Sequence, residues 1–397
     1  MLYAGARAKL LRLETYTEYR IMIDKILLFP YWLALKTRHL LFNTGIRKSV
    51  SAEVPTICVG NITVGGTGKT PHTEMILEGL LEDEVWGGKN LAVLSRGYKR
   101  ESKGFQQVPF DGSANDYGDE PLQMKRKFPL VTVAVDKSRR QGCSFLCNPE
   151  LLQTSKKAKK CRHKDMPKAD LIILDDAFQH RAIRPSVSVV LVDYNRPTFK
   201  DHLLPMGKLR DLPERIAAAD IVIVSKCPSY IDTYEKEQWA RSLGLKNYDP
   251  ATCCGERRKG RKQHIFFTTI SYDVARPIFE EGDQRYVYAQ RLILLTGIAN
   301  DKPFRDYLSG HYRIVRHFNF PDHHKFSHAD ISALKNAADS FPTSVVMTTE
   351  KDSQRIKDAA RIPEWLKQRL FYAPIKAEFV SDEDRNIFFT LLKSYLK

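Results

Sequence analysis

Gly60-Asn61-Ile62-Thr63-Val64-Gly65-Gly66-Thr67-Gly68-Lys69-Thr70 joins the apolar run Thr56–Gly60 to a helical stretch, Pro71 to Leu81. Strand, glycine-rich turn and helix in that order form the context a phosphate cradle needs. Glycines let backbone N–H groups curl around phosphate oxygens, and the positive end of the following helix points at them. Val64, Gly65, Gly66, Thr67, Gly68, Lys69 and Thr70 are therefore the expected nucleotide-binding set. Lys69 reaches the β- and γ-phosphates, and the Thr70 hydroxyl serves Mg²⁺. Pro71 suits the first turn of a helix, where a missing N–H costs little. One departure is visible: Thr63 stands where the P-loop pattern has its first glycine.

Working outward, Leu171-Ile172-Ile173-Leu174-Asp175-Asp176 is an apolar strand that delivers two carboxylates at its C-terminal end. Ligands of open α/β sheets sit at such strand ends, and Asp175 and Asp176 are the candidates to complete the Mg²⁺ shell with Thr70. The runs Leu91–Arg96, Val131–Val135, Val187–Asp193 and Ile221–Lys226 repeat the rhythm of strand and helix. Continuous apolar strands alternating with helices predict an α/β fold, a P-loop NTPase-like and mostly parallel sheet with helices on both faces. After about residue 230 the composition shifts through the basic stretch Gly255–Lys262. A second set of runs (Ile265–Ile270, Leu292–Gly297, Tyr312–Phe318, Ser344–Thr349) predicts a smaller C-terminal α/β lobe. The expected division is an extension over 1–22, an amphipathic helix over 23–50, a nucleotide-binding core over 51–230 and a lobe over 231–397 that contributes to the site.

The formal charge of +16 implies an anionic partner. Residues 1–50 carry nine Lys/Arg against three Asp/Glu, and Leu27, Tyr31, Trp32, Leu35, Leu40 and Phe42 fall on one side of a helix. An apolar face with interfacial aromatics and flanking cations suits a helix lying among lipid headgroups; packing against the domain is the alternative. No run reaches the ~20 apolar residues that span a bilayer. The seven cysteines make no even framework and no paired zinc spacing, which points to a reducing compartment without a structural metal. The Lys-rich run 156–164 lacks the stacking aromatics of a nucleic-acid surface, so no nucleic-acid partner is expected, nor an obligate protein partner.

Two further clusters bear on chemistry. Asp116-Tyr117-Gly118-Asp119-Glu120-Pro121 crowds three carboxylates, and Phe320-Pro321-Asp322-His323-His324 sets a carboxylate beside two imidazoles. Phosphorylating an alcohol needs a group that orients and deprotonates the hydroxyl, which a carboxylate–histidine pair does. Ser225-Lys226-Cys227-Pro228 lacks the aspartate of guanine-specific strand ends, which favours ATP. The rival classes are a P-loop kinase for a soluble metabolite and a membrane-associated nucleotide switch. The first leaves the basic apolar arm unexplained, and the second leaves the Asp-His loop of the far lobe without a task.

Taken together, Val59–Thr70, Ser95-Arg96-Gly97-Tyr98, Gly118–Pro121, Asp175-Asp176-Ala177-Phe178-Gln179-His180-Arg181, Leu204–Arg210, Phe320–His324 and Thr349–Asp352 resemble the tetraacyldisaccharide 4′-kinases, the lipid A 4′-kinase family of Gram-negative bacteria. The resemblance runs from about residue 23 to the end. It implies a peripheral enzyme on the cytoplasmic face of the inner membrane. Such an enzyme transfers the γ-phosphate of Mg-ATP to the 4′-hydroxyl of a tetraacyl glucosamine disaccharide 1-phosphate. It further implies that Asp119 and His323 form the catalytic pair with Asp322 orienting its neighbour, and that Tyr98, Gln179 and His180 line the substrate site. The sequence departs from the family at Gly207-Lys208-Leu209-Arg210-Asp211, where Gly-Arg-Leu-Arg-Glu is usual. Residues 1–20 and the 156–164 run have no family counterpart.

Overall fold

The computed structural model describes residues 28–359 and 362–397. The expected extension over 1–22, and the first residues of the predicted amphipathic helix, lie outside that range. Strands in chain order are β1 Thr56–Asn61, β2 Leu91–Ser95, β3 Gln106–Gln107, β4 Thr132–Val135, β5 Leu171–Asp175, β6 Val187–Asp193, β7 Ile221–Ser225, β8 Lys246–Asp249, β9 Cys254–Glu256, β10 Lys262–Tyr272, β11 Arg276–Pro277, β12 Arg291–Thr296, β13 Arg313–Asn319, β14 Val345–Thr349, β15 Leu370–Ala373 and β16 Ile375–Phe379. They build an eleven-stranded sheet, ordered β3-β4-β2-β5-β1-β6-β7-β10-β9-β8 with β16 also on β10, and a five-stranded sheet, ordered β11-β15-β14-β12-β13.

From β4 to β10 every neighbouring pair in the large sheet is parallel. The physical signature is complete burial: β1, β2, β5 and β7 are buried at every residue, as parallel strands covered on both faces must be. Alternate residues supply two separate cores. Cys58, Leu94, Leu174, Val190 and Val224 pack on one face, and Ile57, Val93, Ile173, Val189 and Ile223 on the other. The second core also takes Ile76, Leu77 and Leu80 of the helix Lys69–Leu81, and Phe388 and Leu392 of the C-terminal helix Asp382–Ser394. These two helices approach so closely that a Cβ on Gly79 would sit 2.2 Å from the Phe389 ring.

The large sheet does not stop near residue 230. β8, β9 and the first half of β10 extend it, and the C-terminal helix returns to cover it. The second sheet therefore begins at Arg276, because β10 runs on past the large sheet and carries the chain across. The run Ile265–Ile270, expected in the second lobe, is the strand that joins the two.

A helix over residues 28–43 lies on the large lobe. Leu35 and His39 face inward and are buried, while Phe29, Trp32, Leu33 and Leu40 are exposed. The inner side is fixed by Lys36–Glu214 (2.8 Å), by Tyr31 donating to the Arg210 carbonyl (3.0 Å) and by His39 Nε2 against Asp211 (2.6 Å). The helix thus packs against the domain, the alternative the sequence offered, and leaves a second set of apolar residues uncovered. Among the described residues no helix is long and apolar enough to cross a membrane.

Candidate active site

Parallel strands put their C-terminal ends at one edge, and here the register fixes the chemistry. Val59 of β1 lies beside Asp175 of β5, and Leu94 of β2 beside Leu174. The glycine-rich loop after β1 thus stands next to the paired aspartates after β5. Gly68 caps the helix Lys69–Leu81 in the left-handed region (φ 84°), and Gly65 has φ 104°; side chains rarely adopt either value. A Cβ on Gly65 or Gly66 would meet nothing within 4 Å, so that side of the loop is open.

The loop is strapped from behind. The Lys208 carbonyl accepts from Val64 N–H (2.7 Å), the Ile62 carbonyl accepts from Arg210 N–H (2.8 Å), and Ser225 Oγ donates to the Thr67 carbonyl (2.9 Å). Asn61 donates to Thr67 Oγ1 (2.6 Å). Gln179 donates to the Asn61 carbonyl and accepts on its own carbonyl from Arg38, so it braces the root of the loop.

The two aspartates differ sharply. Asp176, at φ 47°, meets the Arg210 guanidinium through both oxygens, and Lys69 Nζ lies 3.9 Å away. Burial opposes its charge, but Lys69 and Arg210 outweigh that and hold the carboxyl down at about 2. Asp175 is buried; Ser95 Oγ donates to its Oδ2 (3.1 Å), and among the described residues its Oδ1 has no hydrogen-bond partner. Burial, then the charges of Glu120 and Asp176, push it up to about 6. An orphaned buried acceptor costs about 1–3 kcal/mol, which a cation ligated there would recover. Thr70 and Asp175 therefore fit a magnesium ion, an ion that usually takes one or two protein groups plus phosphates. Arg139, almost wholly buried, donates to the Asp175 carbonyl (2.8 Å) and fixes the strand end beneath them.

The second sheet turns its own parallel strand ends to the same cleft. After β13 comes Pro321-Asp322-His323, and after β14 the helix Glu350–Lys357. His323 Nδ1 lies 3.0 Å from Asp119 Oδ2, across 204 residues of sequence and across the cleft. Asp119 opens the helix Asp119–Lys127 of the large lobe. Burial works against its charge, but the His323 hydrogen bond and Lys351, with Arg355, keep the carboxyl at about 2. Lys351 Nζ is 3.3 Å from His323 Nε2, 3.3 Å from Glu120 and 3.6 Å from Asp322. Arg355 Nε is 3.6 Å from Asp119. Asp352 accepts from Gly297 N–H (3.0 Å) and pairs with Arg355, tying the ends of β12 and β14 together. Tyr98, exposed, sets its ring 5.3 Å from that of His323. Burial, then Arg139 and Arg96, lower His180 to about 4, so it is neutral.

The family model "Tetraacyldisaccharide-1-P 4'-kinase" (LpxK) matches residues 25–396. The chain belongs to the tetraacyldisaccharide 4′-kinase family. A tetraacyldisaccharide 4'-kinase of Phocaeicola vulgatus is 36% identical over 366 residues, 91% of each chain. One from Flavobacterium johnsoniae is 36% identical over 364 residues, 90% of this chain and 93% of that protein. The fold matches a crystal structure of LpxK from Aquifex aeolicus in complex with ATP, with a TM-score of 0.65 and 24% identity, covering 94% of this chain and 99% of that one.

Within this family member, the sequence-predicted Asp119, His323 and Asp322 converge, as do Lys69, Asp175 and Asp176. Gln179, expected to line the substrate site, donates to the Asn61 carbonyl at the root of the loop. Lys351, Arg355, Arg210 and Ser95 were not among the sequence-derived site residues. Ser95, Arg210 and Lys351 do lie in segments that carried the resemblance, which was the available signal; Arg355 does not.

A second acidic pair crosses the same interface. Glu74, on the helix after the loop, accepts from Gln123 (2.9 Å) and Lys127 (2.7 Å), and Lys127 also reaches Glu78 (3.4 Å). Glu350 is buried with its Oε2 unpartnered among the described residues. Burial, then the Glu74 charge, push Glu350 up to about 7, with Lys127 and Arg276 opposing; Glu74 is raised by its own burial. The folded pair keeps a proton that the unfolded chain releases near pH 4.5, so this contribution to stability falls as pH rises from there to about 7. Glu350→Gln should remove that slope. The variant's melting temperature, relative to the unmodified protein, should be higher at pH 8 than at pH 5; an equal difference at both would contradict the assignment.

Proposed function

We propose that this chain transfers the γ-phosphate of ATP to the 4′-hydroxyl of a tetraacyl glucosamine disaccharide 1-phosphate, a lipid A precursor, at the cytoplasmic face of the inner membrane. The observation that carries the reading is the Asp119–His323 pair, held across the cleft from the glycine-rich loop. The loop handles phosphate in many enzymes; a carboxylate–imidazole pair facing it is the equipment for an alcohol acceptor.

Phosphoryl transfer asks the protein mainly for positioning and for charge where charge develops. Backbone N–H groups of the loop between Gly65 and Thr70 cradle the phosphates. Lys69 neutralises the transferred group, with Arg210 holding Asp176 beside it. Thr70 and Asp175 would hold a magnesium ion, which would supply charge neutralisation at the phosphate oxygens. Asp119 accepts from His323 Nδ1–H, and that tautomer leaves Nε2 as the proton acceptor for the incoming hydroxyl. Lys351, now against Nε2, pairs with Asp322 and Glu120 once substrate takes that position. The His323 hydrogen bond and Lys351, with Arg355, keep Asp119 ionised.

The exposed Phe29, Trp32, Leu33 and Leu40 support seating the helix over residues 28–43 among headgroups, next to an acceptor that is itself a lipid. Incubating the protein with Mg-ATP and the detergent-dispersed disaccharide 1-phosphate should give a lipid heavier by one phosphate in mass spectrometry. ATP consumption without phosphorylated lipid would sink the reading and favour a nucleotide switch.

A further inference from the structure

β10 changes partner at a single residue. Through Phe267 it pairs with β7 of the large sheet; from Thr268 to Tyr272 it pairs with β16. All strands of the five-stranded sheet lie in the chain between β10 and β16. Both covalent connections to the second lobe therefore run through this two-stranded ribbon. Thr268 is its anchor: the residue is completely buried, and its carbonyl accepts from Cys227 N–H (2.9 Å).

His72 links that anchor to the phosphate loop. It sits in the first turn of the helix Lys69–Leu81 and is completely buried. Its Nδ1 is 2.6 Å from the Gly68 carbonyl and its Nε2 is 2.7 Å from Thr268 Oγ1. A carbonyl only accepts, so Nδ1 carries the hydrogen, and Nε2 must accept from the threonine hydroxyl. The alternative acceptor for that hydroxyl, the Val224 carbonyl, is 3.5 Å away, too long to compete. Burial lowers His72 to about 4, so the neutral ring is the form present at neutral pH. Ile270, two residues into the ribbon, lies close to the loop: a Cβ added at Gly68 would be 3.7 Å from its Cδ1.

We propose that His72 is a positioning residue that couples the phosphate loop to the pivot of the inter-lobe ribbon, so that nucleotide in the loop and the seating of His323 over it are linked. The inference rests on the reading of Val64–Thr70 as the ATP site. The chain Gly68 carbonyl, His72 ring, Thr268 hydroxyl is continuous and admits one hydrogen arrangement. Movement of the Gly68 peptide around a triphosphate therefore acts on the residue where the ribbon leaves the sheet. Neither His72 nor Thr268 needs to touch the substrate.

The test uses Thr268→Val, which keeps shape and removes the hydroxyl, with Thr268→Ser as the conservative rescue. Spin labels at Leu130→Cys and Tyr288→Cys, both exposed and one on each lobe, report the inter-lobe distance in a Cys254→Ser background. Adding a non-hydrolysable ATP analogue should narrow the distance distribution in the otherwise unmodified protein and in Thr268→Ser. Thr268→Val should bind the analogue within about threefold of normal, fail to narrow, and lose about tenfold in kcat, the scale of one buried hydrogen bond. A normal nucleotide response in Thr268→Val would overturn the proposal, as would no response in the unmodified protein. So would a Thr268→Ser variant as impaired as the valine, which would make the role one of packing. If the unmodified protein failed to bind the analogue at all, the ATP-site reading itself would fall, and the coupling with it.

Discussion

Replacing His323 by alanine lowers turnover by about 10²–10⁴-fold, the range for removing a positioned general base, with ATP affinity little changed. The physical reason to expect a kinetic rather than a structural loss lies in what remains around Asp119. Its carboxylate keeps Arg355 Nε at 3.6 Å and Lys351 Nζ at 4.0 Å, so no buried charge is stranded. Asp119→Asn should fall by the same order, because an amide neither compensates the imidazolium that forms nor fixes one tautomer as firmly. Residues that act as a unit are non-additive, so the double variant should be no slower than the worse single one. Steady-state kcat and KM of the three variants test this. Near-normal turnover in His323→Ala, or losses that multiply in the double variant, would remove the pair from the mechanism.

Lys69→Ala should act on the other half of the cleft. Losing a charge-assisted contact to phosphate, worth about 1.5–3 kcal/mol, predicts an ATP affinity weaker by about ten- to a hundredfold. Turnover should drop as well, since the same ammonium serves the transition state. Asp176 keeps its Arg210 fork in this variant, so the thermal unfolding midpoint should stay close to that of the unmodified protein. The two substitutions are thus separable: a calorimetric titration with ATP should distinguish Lys69→Ala from His323→Ala, while a turnover assay alone would not. Equal ATP affinity in Lys69→Ala and the unmodified protein would contradict the placement of the triphosphate.

These expectations show which parts of the molecule are legible in the chain and which are not. Buried parallel strands announce themselves: β1, β2, β5, β6 and β7 are continuous apolar runs, and each stands where its run predicts. The short β3 and β11 and the polar β8 give no such signal, because an edge strand such as Lys246–Asp249 is largely exposed and needs no apolar pattern. The path of β10 was illegible for a different reason. An apolar run states that a strand is buried, not which sheet buries it, and here one strand serves two partners in succession. At the site, the loop and the paired aspartates could be read from local context. The Asp119–His323 pair could be named only through family resemblance, since nothing in local spacing joins residues 204 apart. Lys351 and Arg355 were missed because their meaning depends on the helix Glu350–Lys357 meeting the helix Asp119–Lys127 across the cleft. The helix over residues 28–43 was legible only in part. The apolar side read from the sequence is divided in the structure: Tyr31, Leu35 and Phe42 turn toward the domain, whereas Trp32 and Leu40 join Phe29 and Leu33 on the uncovered side.

The central claim is that the cleft delivers phosphate to an alcohol, because the groups facing the loop are a carboxylate and an imidazole. Its most direct test is where the new phosphate lands. Fragmentation of the product lipid in a mass spectrometer should find it on the sugar distal to the existing 1-phosphate, as a monoester at the 4′ position. A product carrying a pyrophosphate at the 1 position would mean that the acceptor is a phosphate oxygen, which needs no base, and would contradict the role assigned to Asp119 and His323.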